Sequence, residues 1–116
     1  MRLLRGGIFR VDFGPRRGSE PAGRRFGVLM SEGPHVWPTA VIAPLTVHRV
    51  QPAAMRPEIE FRGATATVLA DHMRAIDVRY IDDQMLGFLN RFDMIRIEEA
   101  IMDYLLLVPP RRSPRS

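Results

Sequence analysis

Hydrophobic and polar positions alternate with a period of two early in the chain and with a period near 3.6 at its end. Ile8 to Phe13 places Phe9, Val11 and Phe13 on one face and Arg10 and Asp12 on the other, which predicts a half-buried strand. Gly14 to Arg25 holds three glycines, two prolines and no apolar period, and therefore predicts a loop. Its twelve residues are long for a hairpin connection, and loops of that length on small domains tend to carry function. Gly27 to Met30 is short and apolar, as a central strand would be, and Ser31 to Pro38 reads as a second loop.

Thr39 to Val47 is rich in β-branched residues, but Pro44 within it has no N–H to give a ladder, which predicts an edge strand or a bulge. Glu58 to Phe61 alternates again, Arg62-Gly63 reads as a turn, and Thr65 to Ala70 as the strand after it. A further short strand is predicted near Met73 to Val78, and Asp82 to Leu89 suits a helical turn followed by a short strand. The period then changes. Asn90 can cap a helix, with Asp93 three residues on, as in a capping box. Met94, Ile97, Ile101, Tyr104, Leu105 and Val108 recur at helical spacing, which predicts an amphipathic helix of roughly 16 residues stopped by Pro109-Pro110. Five to seven strands followed by one helix predict a single, mainly β domain over residues 1–108, a small barrel propped by its C-terminal helix. Residues 109–116 read as a disordered tail. A chain of 116 residues can build one modest core but not two.

Composition narrows the chemistry. The chain has no cysteine, which removes disulfides, thiolate metal sites and a cysteine nucleophile and fits a reducing compartment. His35, His48 and His72 are scattered without ligand spacing, so neither a protein-built metal site nor a bound cofactor is expected. The first residues lack the apolar stretch of a secretory signal, and the longest apolar run, Tyr104 to Val108, is too short to span a membrane. A cytoplasmic protein with no membrane partner is expected. All 17 basic residues are arginines, whose planar fork binds phosphate bidentately and stacks on bases. Residues 1–30 carry seven arginines against two acids, whereas residues 71–107 carry four against eight. That asymmetry suits a polyanion on one face.

Four blocks in register bring a family into view: the first strand, Gly18-Ser19-Glu20 followed by Arg24-Arg25, Ala43-Pro44-Leu45-Thr46, and Asp71-x-x-Arg74-x-x-Asp77. From about Gly6 to Leu107 the sequence resembles the MazF/PemK/Kid toxins. Their loop reads Gly-Ser-Glu-x-x-x-x-Arg-Pro, their third strand ends Ala-Pro-Ile/Leu-Thr, and a later segment reads Asp/Glu-Gln-x-Arg-x-Ile-Asp. The resemblance implies an SH3-like barrel of the MazF/PemK/CcdB type, usually a homodimer. It also implies a type II toxin that cleaves single-stranded mRNA without metal, by 2′-OH attack that leaves a 2′,3′-cyclic phosphate and a 5′-OH. A cognate antitoxin with a disordered, acidic segment is the implied protein partner.

By matching positions, Arg25 falls on the family's catalytic arginine, with phosphate stabilisation as its safer role because a guanidinium is a poor base. Thr46 falls on the catalytic threonine, and Asp71 falls where some members place an acid proposed as the base. Arg16, Arg17 and Arg24 are candidates to follow an RNA backbone, with Ser19, Glu20, His72 and Arg74 beside them. Phe26 and Trp37 are candidates to stack on splayed bases. The chain departs from the pattern in carrying Gly7 for Asp, Phe26 for Pro and His72 for Gln, and Ser19 stands where some relatives have a histidine. Two other readings keep the same barrel: a CcdB-like gyrase poison, whose terminal Trp-Gly-Ile is missing here, and a non-catalytic nucleic-acid-binding module.

Overall fold

The computed structural model describes residues 3–32, 38–48 and 50–107. Trp37, the helix end expected at Val108 and the tail 109–116 lie outside the described residues. Seven strands precede one helix: β1 (Gly7–Asp12), β2 (Arg24–Leu29), β3 (Thr39–Thr46), β4 (Glu58–Phe61), β5 (Ala64–Val68), β6 (Arg74–Asp77), β7 (Gly87–Phe88) and α1 (Arg91–Tyr104). All strand pairs are antiparallel, in the order β4-β5-β3-β2-β1-β7, with β6 joining β3 off that path.

The period-two pattern holds where it is cleanest. In β1, Phe9 and Val11 are buried while Arg10 and Asp12 are half-buried, and in β4 Ile59 and Phe61 are buried while both glutamates are exposed. The β4–β5 turn has φ of +54° at Arg62 and +78° at Gly63, the left-handed pair that a two-residue type I′ hairpin requires.

Pro44 is neither on an edge strand nor in a simple bulge. β3 pairs with β2 from Ile42 to Leu45 on one side, while its other side changes partner, from β6 over Thr39–Ile42 to β5 at Leu45 and Thr46. Pro44 sits in the gap between those partners, where no N–H is needed, and its carbonyl accepts the Leu69 N–H at 2.8 Å. A central strand tolerates proline here because its ladder is interrupted at that residue.

Both faces of the sheet are covered. One carries Ile8, Val28, Ala43, Leu45, Ile59, Phe61 and Val68 beneath Met94 and Ile97 of α1. The other carries Phe9, Val11, Leu29 and Ile42, enclosed by Ile76 and Ile81. Ile81 bridges Val11, and the Asp82 and Leu86 N–H groups bond to the Arg10 and Ile8 carbonyls. That return to β1 brings the sheet close to closure, leaving few unpaired edges.

Helix α1 starts as expected, with Asn90 Oδ1 accepting the Asp93 N–H at 2.8 Å. It ends sooner, at Tyr104 after 14 residues, well ahead of the prolines. The Leu107 N–H bonds to the Met102 carbonyl and the Leu106 N–H to that of Asp103, with Leu106 at φ +58°. This is a Schellman ending with leucine in the left-handed position that usually holds glycine. Tyr104, Leu105, Leu106 and Leu107 are consequently exposed and not part of a buried stripe. Elsewhere, β2 begins at Arg24, three residues earlier than its apolar stretch, and the helical turn expected within 82–89 lies upstream at Val78–Tyr80. No helix among the described residues is long and apolar enough to cross a membrane.

Candidate functional site

The segment from Phe13 to Gly23 leaves β1 and returns to β2, fastened by backbone bonds between Phe13 and Gly23 (2.9 Å) and between Gly23 and Gly14 (2.7 Å). Across from it, Ala70–His72 forms a single 3-10 turn that leads into β6. Between them opens a cleft of about 790 Å³, lined by Arg17 and Glu20 of the loop, by Asp71, His72, Met73 and Arg74, and by Tyr80, with Pro44 among its wall residues.

Arg74 ties the two sides together. One terminal nitrogen donates to the Phe13 carbonyl at 3.0 Å, the other stands 3.7 Å from Glu20 Oε1, and the guanidinium lies 5.5 Å from the centre of the Phe13 ring. Glu20 also faces Arg17 at 4.0 Å. These contacts are half-exposed and individually weak, but they fix where the loop sits.

Asp71 is the most enclosed charge in the cleft. Arg56, from the β3–β4 connection, donates to both its oxygens, Nε to Oδ1 at 3.2 Å and Nη2 to Oδ2 at 2.8 Å. Burial works to raise the Asp71 carboxyl, but the Arg56 hydrogen bonds and charge, with help from His72, outweigh it and hold the group below the usual carboxylate range. A carboxylate so committed is a weak proton acceptor near neutrality. His72 Nε2 lies 3.6 Å from Asp71 Oδ2, an ion-pair distance longer than a hydrogen bond.

Arg25 and Thr46 do not line this cleft. The β2–β3 ladder ends at the Phe26–Leu45 pair, and Arg25 and Thr46 are the next residues on the two strands, on one sheet face by alternation. Arg25 Nε donates to the Ala22 carbonyl at 2.9 Å, and its two terminal nitrogens have no acceptor among the described residues. Thr46 is buried, and its Oγ1 accepts the His48 N–H at 3.1 Å, which leaves the hydroxyl proton available to donate. A guanidinium fork and a hydroxyl donor side by side can hold two oxygens of a phosphoryl group.

Arg16, Arg17, Ser19 and Arg24 are exposed at the loop, outside the paired interior. Phe26 is half-buried against the core, edge-to-face with Phe61 at 5.1 Å and with the Arg10 guanidinium 5.2 Å from its centre. Two residues of this region escaped the reading of the sequence. Arg56 gives no local sign of pairing with a carboxylate fifteen positions away, whereas Tyr80, an aromatic in a polar stretch and half-exposed in the cleft wall, was open to notice.

The fold and this loop-and-strand arrangement belong to a recognisable class. MazF from Deinococcus radiodurans superposes with a TM-score of 0.76 at 22% identity, covering 89% of this chain and 96% of its own. A mycobacterial endoribonuclease solved in complex with its cognate antitoxin gives 0.75 at 23%, covering 94% and 100%. At these identities the likeness is one of fold: a mainly β, near-closed antiparallel barrel with one C-terminal helix, as in MazF.

Sequence carries the assignment further. Residues 4–105 match the model of the PemK-like, MazF-like toxins of type II toxin-antitoxin systems. The Mycobacterium tuberculosis (H37Rv) protein named "Putative toxin Rv3098A/RVBD_3098A" is 38% identical over 104 residues, 89% of this chain and 97% of its own length. The chain belongs to the PemK-like, MazF-like family of type II toxins.

Proposed function

We propose that this chain is a toxin that acts as a metal-independent endoribonuclease on single-stranded RNA, mRNA by family resemblance. What supports the reading is that Arg25 and Thr46 follow the Phe26–Leu45 pair on neighbouring strands, beside a cleft walled by an arginine-bearing loop. In the reaction the ribose 2′-oxygen attacks the adjacent phosphorus and the bond from phosphorus to O5′ breaks. The products are a 2′,3′-cyclic phosphate and a 5′-hydroxyl. Arg25 and Thr46 bond the non-bridging oxygens as charge builds on them. Arg16, Arg17 and Arg24 attract the backbone, with Ser19, Glu20, Phe26 and Arg74 shaping the surface that receives it. Asp71 acts here as an anchored carboxylate and not as the base, because Arg56 occupies both its oxygens.

The implied partners follow from the family. A toxin of this type is expected to work as a cytoplasmic homodimer and to be silenced by an antitoxin whose acidic segment lies along the basic loop. The solved mycobacterial endoribonuclease with its cognate antitoxin supports that reading.

The test is incubation of a long single-stranded RNA with the protein in EDTA, alongside Arg25→Ala and Thr46→Ala. Cleavage at a few sites with cyclic-phosphate ends, lost in folded variants, is the expected result. Intact RNA from a folded wild-type protein would overturn the reading and favour a gyrase poison or a binding module.

A further inference from the structure

The reaction proposed above needs a group that takes the 2′-hydroxyl proton, and most of the charged groups in and beside the cleft are unsuited to it. The guanidinium groups stay protonated. Asp12 Oδ1 is bonded to the Gly14 N–H at 2.9 Å, and Asp71 is held by Arg56. Glu20 is half-exposed and held only by weak contacts to Arg17 and Arg74. Tyr80 ends in a phenol O–H, itself a proton donor. His72 is more enclosed than Glu20, and it is the only imidazole among the described residues that line the cleft.

Its surroundings are built in layers. Arg56 fixes the Asp71 carboxylate from behind, through the β3–β4 connection, whose Met55 carbonyl also accepts the Ala70 N–H at 3.2 Å. Asp71 presents Oδ2 to His72 Nε2 at 3.6 Å. The imidazole is four-fifths enclosed, with 20% of its side-chain surface exposed. Resting on the ribonuclease reading, we infer that His72 accepts the 2′-hydroxyl proton, and that Asp71, anchored by Arg56, positions the imidazole and stabilises its charged form. The 3.6 Å gap closes to a hydrogen bond when the ring takes up its proton, as loose pairs in empty sites commonly do.

The step balances without a further reagent. The 2′-hydroxyl proton passes to the imidazole as the bond from the 2′-oxygen to phosphorus forms. The departing O5′ takes a proton from water, and the imidazolium returns its own proton to solvent before the next turnover. The neutral ring is the active form, so the rate falls in acid as the ring takes up its proton. Asp71 is the acid beside the ring, Glu20, Arg17 and Arg74 line the same cleft, and Arg56 stands behind Asp71.

The deciding measurement is kcat and KM for one RNA substrate from pH 5 to 8.5, for wild type, His72→Gln and Asp71→Asn, with Tm recorded for each. His72→Gln is expected to lower kcat by a factor on the order of 10²–10⁴, to leave KM nearly unchanged and to abolish the acid limb. Asp71→Asn is expected to keep the acid limb and to lower kcat less than His72→Gln does, with KM nearly unchanged, a split that loss of a merely structural contact would not produce. A folded His72→Gln protein with wild-type kcat and the same acid limb would overturn this inference and leave the ribonuclease reading standing. Absence of cleavage by wild type would overturn both.

Discussion

Arg56 and Asp71, fifteen residues apart in sequence, form a two-pronged pair at 3.2 and 2.8 Å that joins the β3–β4 connection to the turn beneath the cleft. The side chains are largely enclosed, with 25% and 11% of their surfaces exposed. Removing one partner strands the other, so Arg56→Met is expected to cost about 1–3 kcal/mol at pH 7, below the full penalty for a completely buried pair. The sign of the pH dependence follows from Asp71, whose carboxyl is lowered on folding. The pair's contribution is complete above the unfolded-state pKa, about 3.9, and is lost as pH falls through the lower folded value. Urea unfolding of both proteins from pH 7 down to pH 2 checks this. The gap between them should narrow only at the acid end, and a gap constant with pH would show that the carboxylate is not what Arg56 stabilises.

The exposed loop arginines suggest a different behaviour. Arg16, Arg17 and Arg24 are all exposed, and the Arg17 side chain retains 79% of its surface. If they meet RNA phosphates, binding releases counterions, and each contact contributes about 0.7 to the slope of log K against log salt for a single strand. Replacing each in turn with glutamine should weaken binding of unrelated RNA sequences alike and reduce that slope by about 0.7. Titration of a non-cleaving Arg25→Ala protein across salt concentrations measures it. Substitutions that change which sequence is preferred, but not the slope, would assign these side chains to base reading.

Leu106 exposes 81% of its surface and adopts φ +58° at the end of α1. A left-handed leucine is strained by its own Cβ, and little packing is lost with its side chain. Leu106→Gly should therefore raise stability by about 0.5–1 kcal/mol, the strain relief being partly offset by glycine's greater freedom when unfolded. Thermal unfolding decides the sign. A fall in Tm would mean that the leucine is packed in solution, against a partner or a second copy of the chain.

Leu106 also marks a boundary of what could be read from the sequence. Alternation alone located β1 and β4, and the Asn90 cap located the start of α1, because each rests on neighbours within a few residues. The helix end was misplaced because the apolar spacing continues through Leu105 to Leu107 while the backbone has already turned away. Pro44 was misjudged for a related reason. The rule against proline in a central strand assumes one partner per side, and β3 changes partner at that residue. In the candidate site, Arg25, Thr46 and Asp71 stand out in the sequence through the family motifs alone. The pairing of Arg56 with Asp71 does not, since nothing local couples a loop arginine to an acid beyond the next two strands.

Gly27, paired with Pro44, sets how closely β2 approaches β3, two residues from Arg25 on the same face. A Cβ built on Gly27 would stand 2.4 Å from Ile42 Cγ2, with Val11 Cγ2 at 3.4 Å and the Ala43 carbonyl at 3.5 Å. Ile42 and Val11 are both fully buried, so neither moves without disturbing the core. Gly27→Ala is expected to destabilise by about 1–3 kcal/mol through overpacking. Shortening the obstructing side chain should relieve the clash. Ile42→Ala, which removes the obstructing Cγ2, should cost about 2–5 kcal/mol alone but less in the Gly27→Ala background, giving a favourable coupling in a double-mutant cycle. Additive costs would mean that β2 shifts as a whole to admit the methyl group. In that case Gly27→Ala should also lower RNA cleavage well beyond its effect on folding, because the shift would carry Arg25 away from Thr46.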